Sequence, residues 1–161
     1  MQDGFIFSDT IANNISLGKE IVGQSEIERA AKIANIHEFI ETLPSKYETE
    51  IGIEGVGLSV GQRQRILIAR AVCKDPQWLF FDEATSALDS TNEKTIINNL
   101  NSIFSNKTVV MVAHRLSTIV NADLIIVLDQ GKIVESGNHK ELRDKKGYYY
   151  RLVLNQLELS K

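Results

Sequence analysis

Three short apolar runs in the second half of the chain constrain the fold more than any other feature of the sequence. They occupy residues 78–81, 108–113 and 124–128. Apolar runs of this length without polar alternation are typical of strands that are buried on both faces of a parallel sheet. Because segments with helical periodicity alternate with these runs, the sequence predicts an α/β domain with a largely parallel sheet.

The first half of the chain is predicted to be helical. Residues 25–43 place apolar side chains at helical spacing, and Ser25 with Glu28 matches a capping box. We therefore expect one amphipathic helix over this range, ended by the proline that follows it. A second helix is expected to begin after Ser59 and to continue to Cys73.

Turn and cap residues predict the secondary structure that follows the third apolar run. Asp129, Gln130 and Gly131 separate that run from the alternating segment 132–135, a pattern typical of a β-hairpin. Downstream, Asn138 begins a further capping-box pattern. The sequence thus predicts a hairpin followed by a polar terminal helix.

The charge balance does not indicate a nucleic-acid partner. Lys and Arg number 18 against 21 Asp and Glu, and no basic cluster stands out. The single Cys73 cannot form an intrachain disulfide, which favours a reducing, cytoplasmic setting. The apolar runs are far shorter than the roughly 20 residues that cross a bilayer, so we expect any membrane-spanning part to lie elsewhere.

Polar residues with catalytic potential follow two of the predicted strands. Asp82 and Glu83 come directly after the first run, and His114 follows the second. Ligands of parallel sheets bind beyond the carboxyl ends of the strands. Asp82 is suited to hold Mg²⁺, and Glu83 is suited to deprotonate a water that attacks phosphorus. Alternatively, the two carboxylates only begin a helix, since acidic residues are common in a first turn.

The predicted helix after Ser59 has two interpretations. Ser59 and Gln62 match the S-x-x-Q capping box, which is a sufficient structural reason for both residues. Gly61, however, leaves the backbone of the first turn unshielded, where free N–H groups and the helix dipole form an anion site. The same three residues could therefore bind a phosphate group.

Three segments resemble, in order and spacing, the ATPase domain of ATP-binding cassette (ABC) transporters. They read LSVGQRQRILIARAV, LFFDEATSALD and VAHRLSTI. The resemblance extends over nearly the whole chain and implies a P-loop NTPase-like α/β domain with a mostly parallel sheet and an α-helical subdomain. It implies that residues 1–76 hold the Q-loop and helical subdomain, and residues 77–161 the C-terminal part of the catalytic core. Val60 departs from the glycine usual in the LSGGQ signature.

The resemblance implies catalytic roles for residues that match the family's motifs, with ATP and Mg²⁺ as cofactors. Gln2 looks like the Q-loop glutamine, which contacts Mg²⁺ and the attacking water. Asp82 would hold Mg²⁺ at the end of the Walker B strand, and Glu83 would be the catalytic base. His114 matches the switch histidine that senses the γ-phosphate.

The resemblance also implies that each ATP site is shared between two ATPase domains, as in a homodimer of the full-length protein. Ser59, Gly61 and Gln62 would form the signature motif, which contacts the γ-phosphate of a nucleotide held by the second domain. Asp89 looks like the D-loop aspartate. Partners are therefore a second ATPase domain and a transmembrane domain, with no nucleic acid.

The glycine-rich loop that grips phosphates in this family does not occur in the sequence. No match to G-x-x-x-x-G-K-[ST] is present, and family members carry that Walker A loop upstream of the Q-loop. Since the Q-loop glutamine is here residue 2, we expect the chain to be part of a longer exporter and to be an inactive ATPase in isolation.

Two further segments resemble those of exporters. Residues 49–55 are similar to the X-loop that contacts the transmembrane part, although Ile53 and Glu54 depart from its usual pattern and an ordinary surface turn is the alternative. GLSVGQRQR together with residues 145–159 looks like peptidase-containing exporters of bacteriocin-type peptides. We expect a peptide or lipophilic substrate and a place at the cytoplasmic face of the plasma (inner) membrane.

Two other classes of function remain open from the sequence. One is an ABC-type ATPase without a transport role, such as a DNA-repair or translation factor, which the exporter-like segments disfavour. The other is an inactive binding module that keeps the fold. The retained Glu83 and His114 argue against loss of catalysis, whereas the absent phosphate loop favours it.

Overall fold

The computed structural model describes residues 4–17, 19, 21–52, 55–82, 95–96, 98–100, 107–112 and 119–158. The chain divides into two compact units, Met1–Val112 and Ala113–Lys161. Within the described ranges, no helix has the length and apolar character needed to span a membrane.

The first unit begins with short elements and ends with a strand pair. In chain order these are β1 (Asp9–Thr10), α1 (Ile11–Ser16), α2 (Gln24–Ile33), α3 (His37–Thr42), a 3₁₀ turn (Lys46–Glu48), β2 (Glu50–Ile51), α4 (Val60–Cys73), β3 (Trp78–Asp82) and β4 (Thr108–Val112). Residues 95–96 and 98–100 are also helical. The core of this unit is built from isoleucine and alanine side chains of α1, α2 and α4.

Strands β3 and β4 confirm the predicted parallel pairing. Their register places Trp78 beside Thr108 and Asp82 beside Val112. Because parallel strands run in the same direction, the carboxyl ends of β3 and β4 lie at one edge of this pair.

The expectation that these strands are buried on both faces is wrong. Leu79 and Phe81 are buried, but Trp78 is 63% and Phe80 is 66% exposed. Val110 and Val112 on β4 are also exposed and lie on the same face of the pair. Residues of this apolar character predict a covered face, but among the described residues of β3 only Leu79 and Phe81, on one face, are buried.

The predicted single helix over residues 25–43 is two helices, α2 and α3. Asn35 between them has a positive φ of 53°. The Ile36 N–H donates to the Ala31 carbonyl (3.0 Å) and the Asn35 N–H donates to the Lys32 carbonyl (3.1 Å), which is a Schellman motif. The helical periodicity continues across this break because Ile36 and Ile40 return to the same core.

The beginning of α2 also differs from the prediction. The N-cap is Gly23, two residues before Ser25, and the Gly23 N–H donates to the Glu26 carboxylate at 3.2 Å. Lys19 lies 3.1 Å from the same carboxylate. The predicted pair of Ser25 and Glu28 therefore does not cap the helix, because an upstream glycine with a better placed glutamate does.

The second unit contains β5 (Ile125–Asp129), β6 (Lys132–Gly137), α5 (His139–Lys145) and α6 (Tyr148–Glu158). The predicted hairpin is confirmed, with β5 and β6 antiparallel. Both loop residues, Gln130 and Gly131, have positive φ, as a type I′ turn requires. The capping box at Asn138 is also confirmed, with Asn138 Oδ1 accepting from the Glu141 N–H at 3.0 Å.

Candidate functional site

The N-terminus of α4 carries three of the predicted site residues. Ser59 is the N-cap, and its Oγ accepts from the Gln62 N–H at 3.2 Å. Gln62 Oε1 in turn accepts from the Ser59 N–H at 2.8 Å. This capping box is the structural role that the sequence allowed, and the structure confirms it.

The capping box leaves the rest of the first turn available to a ligand. The N–H groups of Val60 and Gly61 have no acceptor within the helix, since the first turn of any α-helix lacks one. Val60 is 67% exposed, so this turn faces solvent. With 14 residues, α4 is long enough to present a positive dipole end there. The geometry suits an anion such as phosphate.

Helix α4 packs against the core of the first unit. Ile66, Ile68 and Ala69 are buried in the core. Arg65 donates from Nη1 to the Asn35 carbonyl at 2.8 Å, which ties α4 to the break between α2 and α3. Burial raises the pKa of the Cys73 thiol at the end of the helix. Cys73 is therefore a core residue, as its burial indicates.

Of the two residues predicted to hold Mg²⁺, Asp82 lies within the described residues. It is exposed at the carboxyl end of β3, level with Val112 at the end of β4. A carboxylate at a strand end fits Mg²⁺, which keeps several waters and takes one or two protein carboxylates. Among the described residues, no group of three or more His, Cys, Asp or Glu side chains is placed to hold a metal.

Four predicted site residues lie outside the described residues: Gln2, Glu83, Asp89 and His114. Glu83 follows Asp82 directly, and His114 comes two residues after Val112. The parallel register of β3 and β4 places Asp82 and Val112, the last described residues before them, at one edge. Ser59, Gly61 and Gln62 lie at a separate place in the unit, the start of α4.

Sequence reasoning missed a polar cluster that follows Gln2 in the chain. Asn14, on an otherwise apolar face of α1, is buried and is bonded to Arg70 of α4. The signal was a polar residue between Ile11 and Ile15, both of which have no exposed surface. An asparagine on the buried side of a short helix must find hydrogen-bond partners, and here one of them, Arg70, is distant in sequence.

A surface cavity of about 580 Å³ lies elsewhere on the first unit. It is lined by residues of α2, α3 and the 3₁₀ turn, including Glu28, His37 and Tyr47. None of the predicted site residues within the described ranges lines it. Ser59 and Asp82 lie instead at exposed ends of secondary structure.

Comparison with known proteins identifies the family that the motifs resemble. The family model described as "ABC transporter" matches residues 2–86. The chain is 51% identical over 156 residues to "ABC transporter B family member 4" of Dictyostelium discoideum. It is 53% identical over 149 residues to "ATP-dependent lipid A-core flippase" of Pseudomonas aeruginosa.

A solved structure shares the fold. It is titled "Structure of a bacterial Atm1-family ABC exporter with ATP bound" and matches with a TM-score of 0.89 and 44% identity, over 96% of this chain and 27% of that one. The two relatives above are matched over 97% and 91% of this chain, which spans 20% and 24% of their lengths. The matched part is therefore about a quarter or less of each of these proteins.

Proposed function

We propose that this chain, which belongs to the ABC transporter family, supplies part of the ATP-hydrolysing machinery of an exporter that couples hydrolysis to transport across a membrane. The observation that carries the proposal is the match in fold and sequence to an exporter with ATP bound. The exposed, capped start of α4 and the exposed Asp82 at a strand end support it, because they suit a phosphate and a metal.

In this proposal, the chain's residues position water and charge around the phosphate. Asp82 and Gln2 would hold Mg²⁺, which when bound would offset the negative charge that develops on the phosphoryl oxygens. Glu83 would accept a proton from the attacking water. His114 would donate a hydrogen bond to the γ-phosphate and so detect its presence.

The start of α4 would act on a nucleotide held mainly by a second ATPase domain. The first-turn N–H groups at Gly61, together with Ser59 and Gln62, would bind that nucleotide's γ-phosphate. Asp89 would act at the same contact between domains. Two copies of the full-length protein would then complete both sites.

The remaining parts of the transporter would come from sequence beyond this chain. We propose a longer polypeptide, because the relatives are four to five times longer than the matched segment. A phosphate-gripping loop and a transmembrane domain would belong to that part, and the ATPase would act at the cytoplasmic face of the plasma (inner) membrane. The transported substrate, a peptide or lipophilic molecule, remains a prediction from the sequence.

A second candidate function is an inactive binding module with the same fold. The observation that favours it is that the sequence contains no G-x-x-x-x-G-K-[ST] loop. The two candidates differ in one measurable respect. The binding module would show no hydrolysis that depends on Glu83 in any context.

The experiment that tests the proposed function replaces Glu83 in the longer polypeptide. Glu83→Gln keeps the shape of the side chain but cannot accept a proton, so we expect phosphate release to fall by at least about 100-fold while ATP remains bound. ATP-bound dimers should then accumulate. Glu38→Gln is the matched control, since it makes the same change at an exposed position of α3. Unchanged phosphate release from Glu83→Gln would reject the assignment.

A further inference from the structure

The Asn14 side chain organises the segment that follows Gln2. It is only 1% exposed. Its Oδ1 accepts from the Phe7 N–H at 2.9 Å, and its Nδ2 donates to the carbonyls of Phe7 and Thr10, both at 3.0 Å. A single side-chain amide thus binds both the N–H and the carbonyl of Phe7 and fixes this backbone against α1.

Arg70 ties this arrangement to α4. Its Nε donates to the Asn14 carbonyl at 2.7 Å and its Nη2 to Asn14 Oδ1 at 3.0 Å. Its Nη1 donates to the Phe5 carbonyl at 2.9 Å, a bond between residues 65 positions apart. The guanidinium also lies 5.6 Å from the centre of the Phe7 ring. One planar fork therefore fixes the positions of three groups of residues 5–14 relative to α4.

The Arg70 guanidinium holds two elements together at a cost in free energy. Burial lowers the pKa of the guanidinium, and among the described residues no carboxylate lies within 4.0 Å of it. Partial burial of a cation costs free energy that apolar packing would not. Unlike apolar packing, these hydrogen bonds are directional, because each N–H of the guanidinium fixes the orientation of its acceptor.

A second contact brings the same segment against α4. A Cβ atom at Gly4 would overlap the Cδ1 atom of Leu67, so a larger residue at this position would have to displace the Leu67 side chain. Leu67 and Arg70 are three residues apart and face the same side of α4. The two residues after the Gln2–Asp3 pair, Gly4 and Phe5, are thus both held by α4.

We propose that Arg70 and Asn14 are positioning residues for Gln2, and that they couple the place of Gln2 to helix α4 and hence to Ser59 and Gln62 at its start. The proposal rests on the function proposed above, in which Gln2 and the start of α4 both act on nucleotide. Ser59 and Arg70 are 11 residues apart on one helix, about 16 Å. Through the Arg70 bonds, a movement of α4 would therefore carry Phe5 and Asn14 with it.

The test is a double-mutant cycle for ATP hydrolysis in the longer polypeptide. Arg70→Lys keeps the charge and loses the fork, so we expect kcat to fall on the order of 10- to 100-fold from misplacement of Gln2, with a much smaller change in KM for ATP. Gln2→Ala should lower kcat as well. Because both changes act through Gln2, the double variant should be no slower than Gln2→Ala alone.

A matched control separates positioning from stability. Tyr47→Phe removes another buried hydrogen bond of the same unit, the 2.8 Å contact with His37. It should lower the melting temperature and leave kcat unchanged. If Arg70→Lys does not fold, the cycle is repeated with Asn14→Asp, which keeps the shape of the side chain and loses the hydrogen bonds that Nδ2 donates.

The outcomes distinguish this inference from the function on which it rests. Multiplicative losses in the double variant, or an unchanged kcat in Arg70→Lys, would overturn the positioning role. Failure of both Arg70→Lys and Asn14→Asp to fold would assign the cluster to stability and would also overturn it. If Glu83→Gln hydrolyses ATP at the wild-type rate in the same polypeptide, the proposed function itself has failed.

Discussion

At the scale of single residues, Tyr47 shows how burial changes the behaviour of an ionisable group. Its ring is buried in the core of the first unit, and its hydroxyl lies 2.8 Å from Nδ1 of His37. Burial raises the pKa of this hydroxyl above its ordinary value, and the nearby Glu28 and Glu41 add to the effect. The folded chain therefore favours the neutral form of Tyr47.

This shift predicts a loss of stability at alkaline pH. The unfolded chain releases the Tyr47 proton near pH 10, while the folded chain still holds it. The contribution is therefore complete below about pH 10 and falls as the pH rises above that value. We expect urea midpoints measured from pH 8 to pH 11 to fall more steeply for the wild type than for Tyr47→Phe. Tyr148→Phe, which removes an exposed hydroxyl, should follow the wild type. Equal slopes for wild type and Tyr47→Phe would contradict the assignment.

At the scale of secondary-structure elements, Asn35 decides that α2 and α3 are separate helices. Its left-handed backbone conformation allows the Schellman hydrogen bonds that end α2. Its carbonyl then accepts from Arg65 of α4. The break therefore contributes to the position of the helix that carries Ser59.

Substitutions at Asn35 should separate backbone strain from side-chain chemistry. Asn35→Ala places a Cβ-bearing residue without a polar side chain in a left-handed conformation, which we expect to lower the free energy of unfolding by about 1 kcal/mol. Asn35→Gly removes that strain and should be neutral or stabilising. Urea midpoints measure both. Lys32→Ala, on the exposed face of α2, is the control and should change little. A stable Asn35→Ala would show that the positive φ carries no strain.

At the scale of the whole molecule, several apolar side chains lie exposed on strands. Trp78 and Phe80 are exposed on β3, and Ile126 and Leu128 are exposed on β5. Among the described strands, each of β3 to β6 pairs with a single neighbour, so β4 and β5 both have an open edge. Apolar faces beside open edges favour association with other chains.

We therefore expect the 161-residue chain to self-associate in solution. Light scattering at increasing protein concentration should report a rising mass. Phe80→Lys should reduce that mass, because it places a charge within the apolar face of β3. Thr108→Lys adds the same charge at an exposed polar position on that face and should have less effect. A monodisperse wild-type monomer with a sharp urea transition would contradict the prediction and indicate that the chain needs no further strand.

Much of the local structure could be predicted from the sequence, because it depends on neighbouring residues. The capping boxes at Ser59 and Asn138, the turn at Gln130, and the parallel strands before Asp82 follow from short-range hydrogen bonding and periodicity. The family motifs assigned the candidate residues, of which Ser59, Gly61, Gln62 and Asp82 lie within the described residues.

Only the tertiary structure decided which contacts join distant parts of the chain. The pairing of β1 with β2 and the exposed face of β3 have no local signal. A polar residue between Ile11 and Ile15 indicates that Asn14 needs a partner, but it does not identify Arg70, which is 56 residues away. Their interaction exists because α1 and α4 pack against one core, and the cost of burying a polar group there selects the partner.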